Sequence, residues 1–166
     1  KAATIAIANH EGPVYLRFGR PSWPVFTENL PFEIGKGILL NEGKDVTIVA
    51  TGHLVWKAVE AVKQLENEGI SCDLINIHTI KPLDEDIILR SVRKTGCIIS
   101  AEEHQRNGGL GDSIAQLLAR NLPTPQEYVA VNDQFGESGT PDQLLEKYGM
   151  GTSDVVTAVR NVLKRK

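Results

Sequence analysis

The stretch VTIVATGHLVWKAVEAVKQLENEGISCDLINI, residues 46–77, decides the fold of this chain. It begins with the apolar, β-branched run Val46–Ala50, which is typical of a buried strand. Apolar residues then recur at helical spacing over Leu54–Glu68, and Gly69 follows where a left-handed helix end is favoured. Residues 72–77 predict the next strand. The two strands are expected to be parallel, because a helix joins them.

The same alternation continues on both sides of this unit. Further strands are predicted at 38–40, 97–101 and 128–131, and further helices at 84–94, 110–120, 141–148 and 153–164. Strands that alternate with helices of this length specify a mostly parallel sheet with helices on both faces. We therefore expect a doubly wound α/β fold, a three-layer sandwich with the sheet in the middle.

The first 31 residues have a different pattern. Residues 2–8 are alanine-rich but shorter than the roughly 12 residues that an isolated helix needs, and residues 14–18 have the composition of a strand ending at Gly19. Prolines within residues 20–31 predict a linker, because proline lacks the backbone donor of a helix or central strand. We expect residues 1–31 to be a tail and linker, residues 32–166 to be one domain, and the whole to be a piece of a larger enzyme.

Composition limits the classes of function. The net charge of -3 and the isoelectric point near 5.8 argue against a nucleic-acid partner, and the basic run at 164–166 is interpreted as a solvated helix end. Cys72 and Cys97 lie in apolar stretches and are predicted to be reduced core thiols. No apolar run approaches the roughly 20 residues that span a bilayer, and we see no secretory signal, so we expect a cytoplasmic protein without a membrane partner.

Ligands of doubly wound sheets bind beyond the carboxyl ends of the strands, so the residues after each predicted strand are the candidate site. His53 follows the first strand of the quoted unit, where a loop histidine is favoured over an acid/base role because no partnered nucleophile follows it. Glu102, Glu103 and His104 carry metal-ligating groups. Neighbours on a strand point to opposite faces, however, so we predict no metal site.

Three other groups of residues are candidates. The run Gly108–Asp112 opens a helix, but it matches neither common phosphate-binding fingerprint, and tight packing against the sheet or a subunit is favoured. Asp84 or Thr79 is expected to cap the helix that follows Pro82. Arg17 and Arg20 can bind phosphate or carboxylate, with surface ion pairing an equal alternative.

Five motifs, taken in order, resemble the C-terminal portion of transketolase. They are GPVYLRFGRP (12–21), IGKG (34–37), HTIKPLD (78–84), EEH with GGLG (102–104 and 108–111) and FGESG (135–139). The resemblance covers almost the whole chain, and the ordered set is more specific than any one motif.

This resemblance implies an enzyme that uses thiamine diphosphate and Mg²⁺ to move a two-carbon ketol unit between sugar phosphates. Residues 1–31 then correspond to the end of a pyrimidine-binding domain with its linker, and residues 32–166 to the C-terminal domain. Arg20 matches the arginine of the family that binds the substrate phosphate, with Gly19 in place of the preceding serine. The cofactor-binding and metal-binding motifs of the family have no counterpart here. The resemblance thus implies a chain inactive alone, an N-terminal subunit or missing domains as its partner, and a homodimer.

Two alternatives stay open. The chain could be the C-terminal domain of a 2-oxo acid dehydrogenase beta subunit, or a stand-alone, non-catalytic dimerisation or binding module. His78 stands where such beta subunits and 1-deoxy-D-xylulose-5-phosphate synthases often carry arginine, which together with FGESG favours transketolase. The sequence assigns no role to His53, His78 or His104.

Overall fold

The computed structural model describes residues 1–19 and 22–166. Its described residues form one five-stranded sheet in the order β1-β3-β2-β4-β5. The strands are β1 (Ile38–Asn41), β2 (Val46–Ala50), β3 (Cys72–Asn76), β4 (Ile98–Gln105) and β5 (Gln126–Val131). Strand β2 lies parallel to β3 and β4, β4 lies parallel to β5, and β1 is antiparallel to β3 at one edge. The predicted mostly parallel sheet is confirmed.

Helices cover both faces of the sheet. The described helices are α1 (Ala2–Ala8), α2 (Leu54–Asn67), α3 (Glu85–Thr95), α4 (Leu110–Asn121), α5 (Pro141–Lys147) and α6 (Thr152–Leu163), of which α2, α3, α4 and α6 form the two layers and α1 buries no residue. On one face Ile48 packs in a core cluster with residues of α2 and α6, whereas Val49 points the other way into a cluster with α3 and α4. Successive residues of β2 therefore enter two separate cores, as a strand buried on both faces requires. The doubly wound, three-layer fold is confirmed.

The helix ends follow local chemistry, with one difference from prediction. Asp84 caps α3 by accepting the backbone N–H of Ile87 at 3.3 Å, as predicted. Gly69 lies just past α2 with a φ of 80°, the left-handed conformation that glycine adopts most easily. Helix α6 begins one residue earlier than predicted: Gly151 is its N-cap, and Asp154 accepts the N–H of Gly151 at 2.9 Å from within the first turn.

The strand predicted at residues 14–18 is wrong. These residues carry no regular structure, and Tyr15 and Phe18 are 87% and 83% exposed. Their β-favouring composition finds no neighbouring strand to pair with among the described residues, and strand propensity depends on such packing. Residues 2–8, predicted to be too short for a stable helix, form α1, none of whose residues is buried.

Two further findings concern the whole chain. Cys72 and Cys97 are free and buried, as predicted. Burial, followed by the nearby Asp45 carboxylate, raises the pKa of the Cys72 thiol to about 12. Among the described helices, none combines the length and the apolar character that crossing a membrane requires.

Candidate functional site

The sheet order places a crevice between β2 and β4. These strands are neighbours, yet the chain leaves β2 towards β3 on one side and leaves β4 towards β5 on the other. In doubly wound folds such a switch point is where ligands bind, outside the carboxyl ends of the two strands. The residues at these ends are Thr51, Gly52 and His53 after β2, and Glu102, Glu103 and His104 on β4.

Glu102 fills one half of this crevice. Strand β4 runs on to Gln105, further than predicted, and Glu102 on it is only 3% exposed. Its carboxylate accepts the N–H groups of Leu110 at 2.7 Å and Gly111 at 2.8 Å, at the start of α4. The N-terminus of a helix favours negative charge, so the carboxylate occupies the position that a phosphate would take.

The glycines beside Glu102 are there because of close packing. A Cβ on Gly109 would lie 2.2 Å from a carboxylate oxygen of Glu102, and one on Gly111 would lie 2.5 Å from the ring of Tyr128 on β5. Both distances are shorter than any ordinary contact. The expectation that this glycine run serves tight helix-to-sheet packing is confirmed, and Asp112 accepts the N–H of Gly108 at 2.6 Å.

His53 and Glu103 fill the other half of the crevice. Nδ1 of His53 lies 2.9 Å from Oε2 of Glu103, which joins the start of α2 to β4. The indole of Trp23 stacks on the imidazole, with 4.7 Å between ring centroids and 28° between planes, and Nζ of Lys57 lies 6.0 Å from the indole. His53 is therefore neither a bare loop residue nor partnered with a nucleophile: a carboxylate orients it and an indole covers it.

A second histidine, His78, lies just after β3 and contacts Phe32, in the segment that also contains Trp23. The ring of His78 lies 4.4 Å from that of Phe32, and its Nδ1 lies 3.0 Å from the hydroxyl of Thr79. Burial lowers the pKa of His78, because a cation is disfavoured where water is excluded. Its Nε2 is buried without a hydrogen-bond partner among the described residues.

Residues 22–37 thus lie across the carboxyl ends of β2 and β3. Trp23 contacts His53, Phe26 packs on Trp56 of α2 at 5.5 Å, and Phe32 contacts His78. At the far end, the N–H of Gly37 donates to Asp84 Oδ2 at 2.9 Å. None of these contacts was predicted from the sequence, since they join residues about 25 to 50 positions apart.

The structure describes one member of the predicted arginine pair. Nη1 of Arg17 lies 3.4 Å from the backbone carbonyl oxygen of Glu103, to which it donates. Arg20, the residue singled out for substrate phosphate, lies outside the described residues. His104 is exposed, and its Nδ1 lies 2.8 Å from the carbonyl oxygen of Gln105.

The donor groups at this site do not suit the cofactors of the resembled family. Glu102 is directed to α4 and Glu103 to His53, and no three His, Cys, Asp or Glu side chains of residues 1–19 and 22–166 are grouped to hold a metal. The helix start best placed for a diphosphate already carries the Glu102 carboxylate. The described residues therefore do not fit thiamine diphosphate or its metal.

Comparison with known proteins identifies relatives along the whole chain. It is 44% identical over its full length to the "6-deoxy-6-sulfo-D-fructose transketolase subunit SqwH" of Clostridium sp. (strain MSTE9), of which it covers 52%. It is 38% identical, over 96% of its length, to a "Putative transketolase C-terminal section" of Methanocaldococcus jannaschii, of which it covers 51%. The chain thus spans about half the length of these curated relatives. Several 1-deoxy-D-xylulose-5-phosphate synthases also match, at 32% to 37% identity and over about a quarter of their length.

A solved structure gives the same result. The fold matches a chain of "Split gene transketolase, inactive beta4 tetramer" with a TM-score of 0.92 and 49% identity, over 98% of this chain and 55% of that one. The family model "Transketolase, C-terminal domain" matches residues 35–155, well over half of the sequence. On this match and on these relatives, the chain belongs to the transketolase C-terminal domain family.

Proposed function

We propose that this chain is the C-terminal section of a split transketolase and supports thiamine-diphosphate-dependent transfer of a two-carbon ketol unit between sugar phosphates. The observation that carries this is the 44% identity, over the full length of this chain, to a protein named as a transketolase subunit. Residues 1–31 are then the end of a pyrimidine-binding domain with its linker, and residues 32–166 are the C-terminal domain.

The geometry of the crevice supports an accessory role. Its two halves are occupied by Glu102 on the start of α4 and by the contact of His53 with Glu103. We therefore place thiamine diphosphate and Mg²⁺ on an N-terminal partner subunit or on the missing domains, and expect the chain to be inactive alone.

Arg20 is the residue of this chain that we propose to meet the substrate. Its match to the phosphate-binding arginine of the family supports this, and a guanidinium suits phosphate through paired N–H donors. Gly19 replaces the serine that precedes this arginine in transketolases, so the site lacks that hydroxyl.

Reconstitution tests the proposal. The chain is mixed with the missing regions, thiamine diphosphate, Mg²⁺ and the acceptor D-ribose 5-phosphate, and ketol transfer to this acceptor is followed by mass spectrometry with donors that include fructose 6-phosphate and 6-deoxy-6-sulfo-D-fructose. We expect transfer only in the complete mixture. Transfer by the chain alone, or no transfer from any donor by a folded, assembled complex, would refute it.

Synthesis of 1-deoxy-D-xylulose 5-phosphate is a second candidate, favoured by the several synthases among the relatives. His78 argues against it, because such synthases often carry arginine at this position. Formation of 1-deoxy-D-xylulose 5-phosphate and CO2, when the reconstituted complex is given pyruvate and D-glyceraldehyde 3-phosphate instead, would decide for this second activity.

We also propose that the assembled enzyme is built on a homodimer of this chain. The name of the structural match describes an inactive tetramer of beta chains, which supports self-association of such chains. Light scattering after gel filtration tests this, and a monomer both alone and in the active mixture would contradict it.

A further inference from the structure

Residues 27–36, called the covering loop from here on, lie at the carboxyl end of β3 with few contacts to the domain. Their backbone hydrogen bonds are internal: the N–H of Leu30 donates to the carbonyl of Thr27 at 3.2 Å, and that of Lys36 donates to the carbonyl of Glu33 at 3.1 Å. Among the described residues, no hydrogen bond joins the covering loop to the rest of the chain. The loop is therefore held by side-chain packing, and segments held in this way open more readily than the core.

The chain is anchored on both sides of the covering loop. Before it, the ring of Phe26 lies 5.5 Å from that of Trp56 and packs against the core cluster of α2 and α6. After it, the N–H of Gly37 donates to Asp84 at 2.9 Å, and a Cβ on Gly37 would lie only 2.7 Å from Cδ1 of Ile77. Both flanking residues thus belong to the packed part of the domain, so an opening of the covering loop stays local.

Phe32 is the ring that closes the covering loop. Its ring centroid lies 4.4 Å from that of His78, and among the described residues Phe32 joins neither core cluster. One further contact brings the backbone of Gly35 close to Pro82, since a Cβ on Gly35 would lie 3.1 Å from Cγ of Pro82. Closure of the loop thus depends chiefly on the contact of Phe32 with His78.

The surroundings of His78 suit an imidazole with one proton but not an imidazolium with two. Its Nδ1 lies 3.0 Å from the hydroxyl of Thr79, and its Nε2 is buried without a partner among the described residues. An imidazolium donates from both nitrogens, so a second proton leaves one N–H buried without an acceptor, at a cost in free energy. Burial accordingly lowers the pKa of His78.

The charges near His78 do not offset this cost. Burial is the sole cause of its lowered pKa, and no neighbouring charge adds to it. The carboxylate of Asp84 already accepts the N–H groups of Gly37 and Ile87. The face of the Phe32 ring attracts a cation, but by less than the loss of water disfavours one. The other charged residues on the elements around His78 are all exposed: Glu33 and Lys36 on the covering loop, Lys81 in the turn after β3, and Glu85 and Asp86 at the start of α3.

The other histidine beside residues 22–37 responds to a proton in the opposite way. His53, on which Trp23 stacks, has the Glu103 carboxylate 2.9 Å from its Nδ1. A proton on His53 therefore gains a partner of opposite charge, whereas a second proton on His78 gains none. Acid thus weakens the contact at Phe32 and leaves the contact at Trp23 in place.

We propose that the contact of Phe32 with His78 is a pH-sensitive closure: protonation of His78 opens the covering loop and uncovers the carboxyl end of β3, while the sheet and the helices stay folded. The open form, whose imidazole reaches water, binds more protons than the closed form below the ordinary pKa of 6.5. Opening therefore increases as the pH falls through 6.5 and levels off below the lowered pKa of the closed form. The inference does not depend on the function proposed above.

Spin labelling of the full chain measures the opening. Glu33→Cys places a nitroxide on the exposed surface of the covering loop, whereas Cys72 and Cys97 are buried and stay unlabelled. The ratio of mobile to immobile components in the electron paramagnetic resonance spectrum is expected to rise roughly three- to tenfold between about pH 7 and about pH 5.5, the range that one titrating imidazole allows. His78→Phe and His78→Gln, which cannot take up this proton, should each keep the ratio constant over the same pH range.

Three controls separate this closure from general unfolding. His53→Gln removes the other histidine beside residues 22–37 and should leave the rise intact. A nitroxide at Gln64→Cys, on the exposed side of α2, should show the same mobility at both pH values, as should the circular dichroism of the chain. Phe32→Ala removes the closing ring, so its covering loop should be mobile at both pH values.

The outcomes decide the proposal. A ratio that stays constant in the chain with His78 intact would overturn it, as would a rise that survives in both His78 variants or one that His53→Gln abolishes. An equal rise at Gln64 would show that acid loosens the whole domain, which also overturns a local closure. Proton magnetic resonance supplies a second measurement, because the ring protons of His78 should titrate with a midpoint below 6.5 that coincides with the rise in mobility. A midpoint at or above 6.5 would contradict the proposal.

Discussion

Glu102 offers the sharpest test of how the start of α4 is held against β4. Its carboxylate is 3% exposed and accepts two backbone N–H groups at 2.7 and 2.8 Å. Glu102→Ala leaves both N–H groups buried without a partner, at about 1–3 kcal/mol each, and removes a charge that favours the helix terminus. We expect the free energy of unfolding to fall by about 3–5 kcal/mol.

A second substitution, at Gly109, completes a double-mutant cycle with Glu102. The three atoms nearest to a Cβ on Gly109 are all in the Glu102 carboxyl group, at 2.2 to 2.6 Å. Gly109→Ala in the wild-type background must therefore push the carboxylate off the helix, with a loss of stability close to that of Glu102→Ala. In the Glu102→Ala background that obstacle is absent, and the same change should lower stability by only about 1 kcal/mol, the difference between alanine and glycine at an N-cap.

Urea unfolding followed by circular dichroism measures all four proteins of the cycle. A coupling of about 2 kcal/mol or more between the two positions is expected, with unchanged dependence on urea. Asp112→Ala is the control, because Asp112 also accepts an N–H at this turn but is more exposed, and should lower stability by about 1 kcal/mol or less. Additive losses at the two positions would show that the carboxylate does not hold α4.

Three further predictions concern buried groups elsewhere. Asp73 is 1% exposed and accepts hydrogen bonds from the N–H of Gly43 at 2.7 Å, Ser91 Oγ at 2.5 Å and Lys94 Nζ at 2.8 Å. Asp73→Ala should therefore lower the free energy of unfolding, measured by urea titration, by about 3–5 kcal/mol, and a loss under about 1 kcal/mol would contradict this. Burial lowers the pKa of His78 below its ordinary 6.5, so below that pH the unfolded chain binds more protons than the folded chain. The contribution of His78 to stability should therefore be fully present above pH 6.5 and fall as the pH drops towards the folded-state pKa. His78→Phe should weaken this pH dependence. Cys72 is fully buried and its pKa is about 12, so it should react with a thiol reagent at pH 8 only after unfolding. Absorbance measurements in 0 and 8 M urea compare the labelling of the folded and unfolded chain, and rapid labelling of the native chain would refute this.

The sheet was predictable where strands are buried on both faces. The apolar runs of β2 and β3 leave little alternative, and Thr47 and Asp73 inside them are accommodated by Ser91 and Lys94 of α3. The predicted strand at residues 14–18 failed for the opposite reason. Its composition is right for a strand, but strand structure needs a hydrogen-bonded neighbour, which local sequence does not reveal.

The site was less predictable, because its parts meet through tertiary contacts. The run Glu102–His104 was placed after a strand, yet pairing extends to Gln105 opposite Val131, and polar residues at a strand end give no apolar signal to mark this. The glycines of α4 were correctly assigned to close packing, but the side chain that they admit, Glu102, became visible only in the structure. Arg20 stays a prediction.

The occupied crevice supports the accessory role that we propose for this chain. Glu102 supplies internally the negative charge that the start of α4 favours, so a bound phosphate is not needed to complete the helix. That leaves Glu103, the next residue, directed to the opposite side of β4, where it can hold His53 and, through it, Trp23. At the end of β4, the Glu102 carboxylate thus holds the start of α4, and the Glu103 carboxylate contacts His53, on which Trp23 stacks. Because alternation along a strand separates the two contacts, Glu102→Ala should act mainly on the stability of the domain, whereas Glu103→Gln should act mainly on the contact of His53 with Trp23.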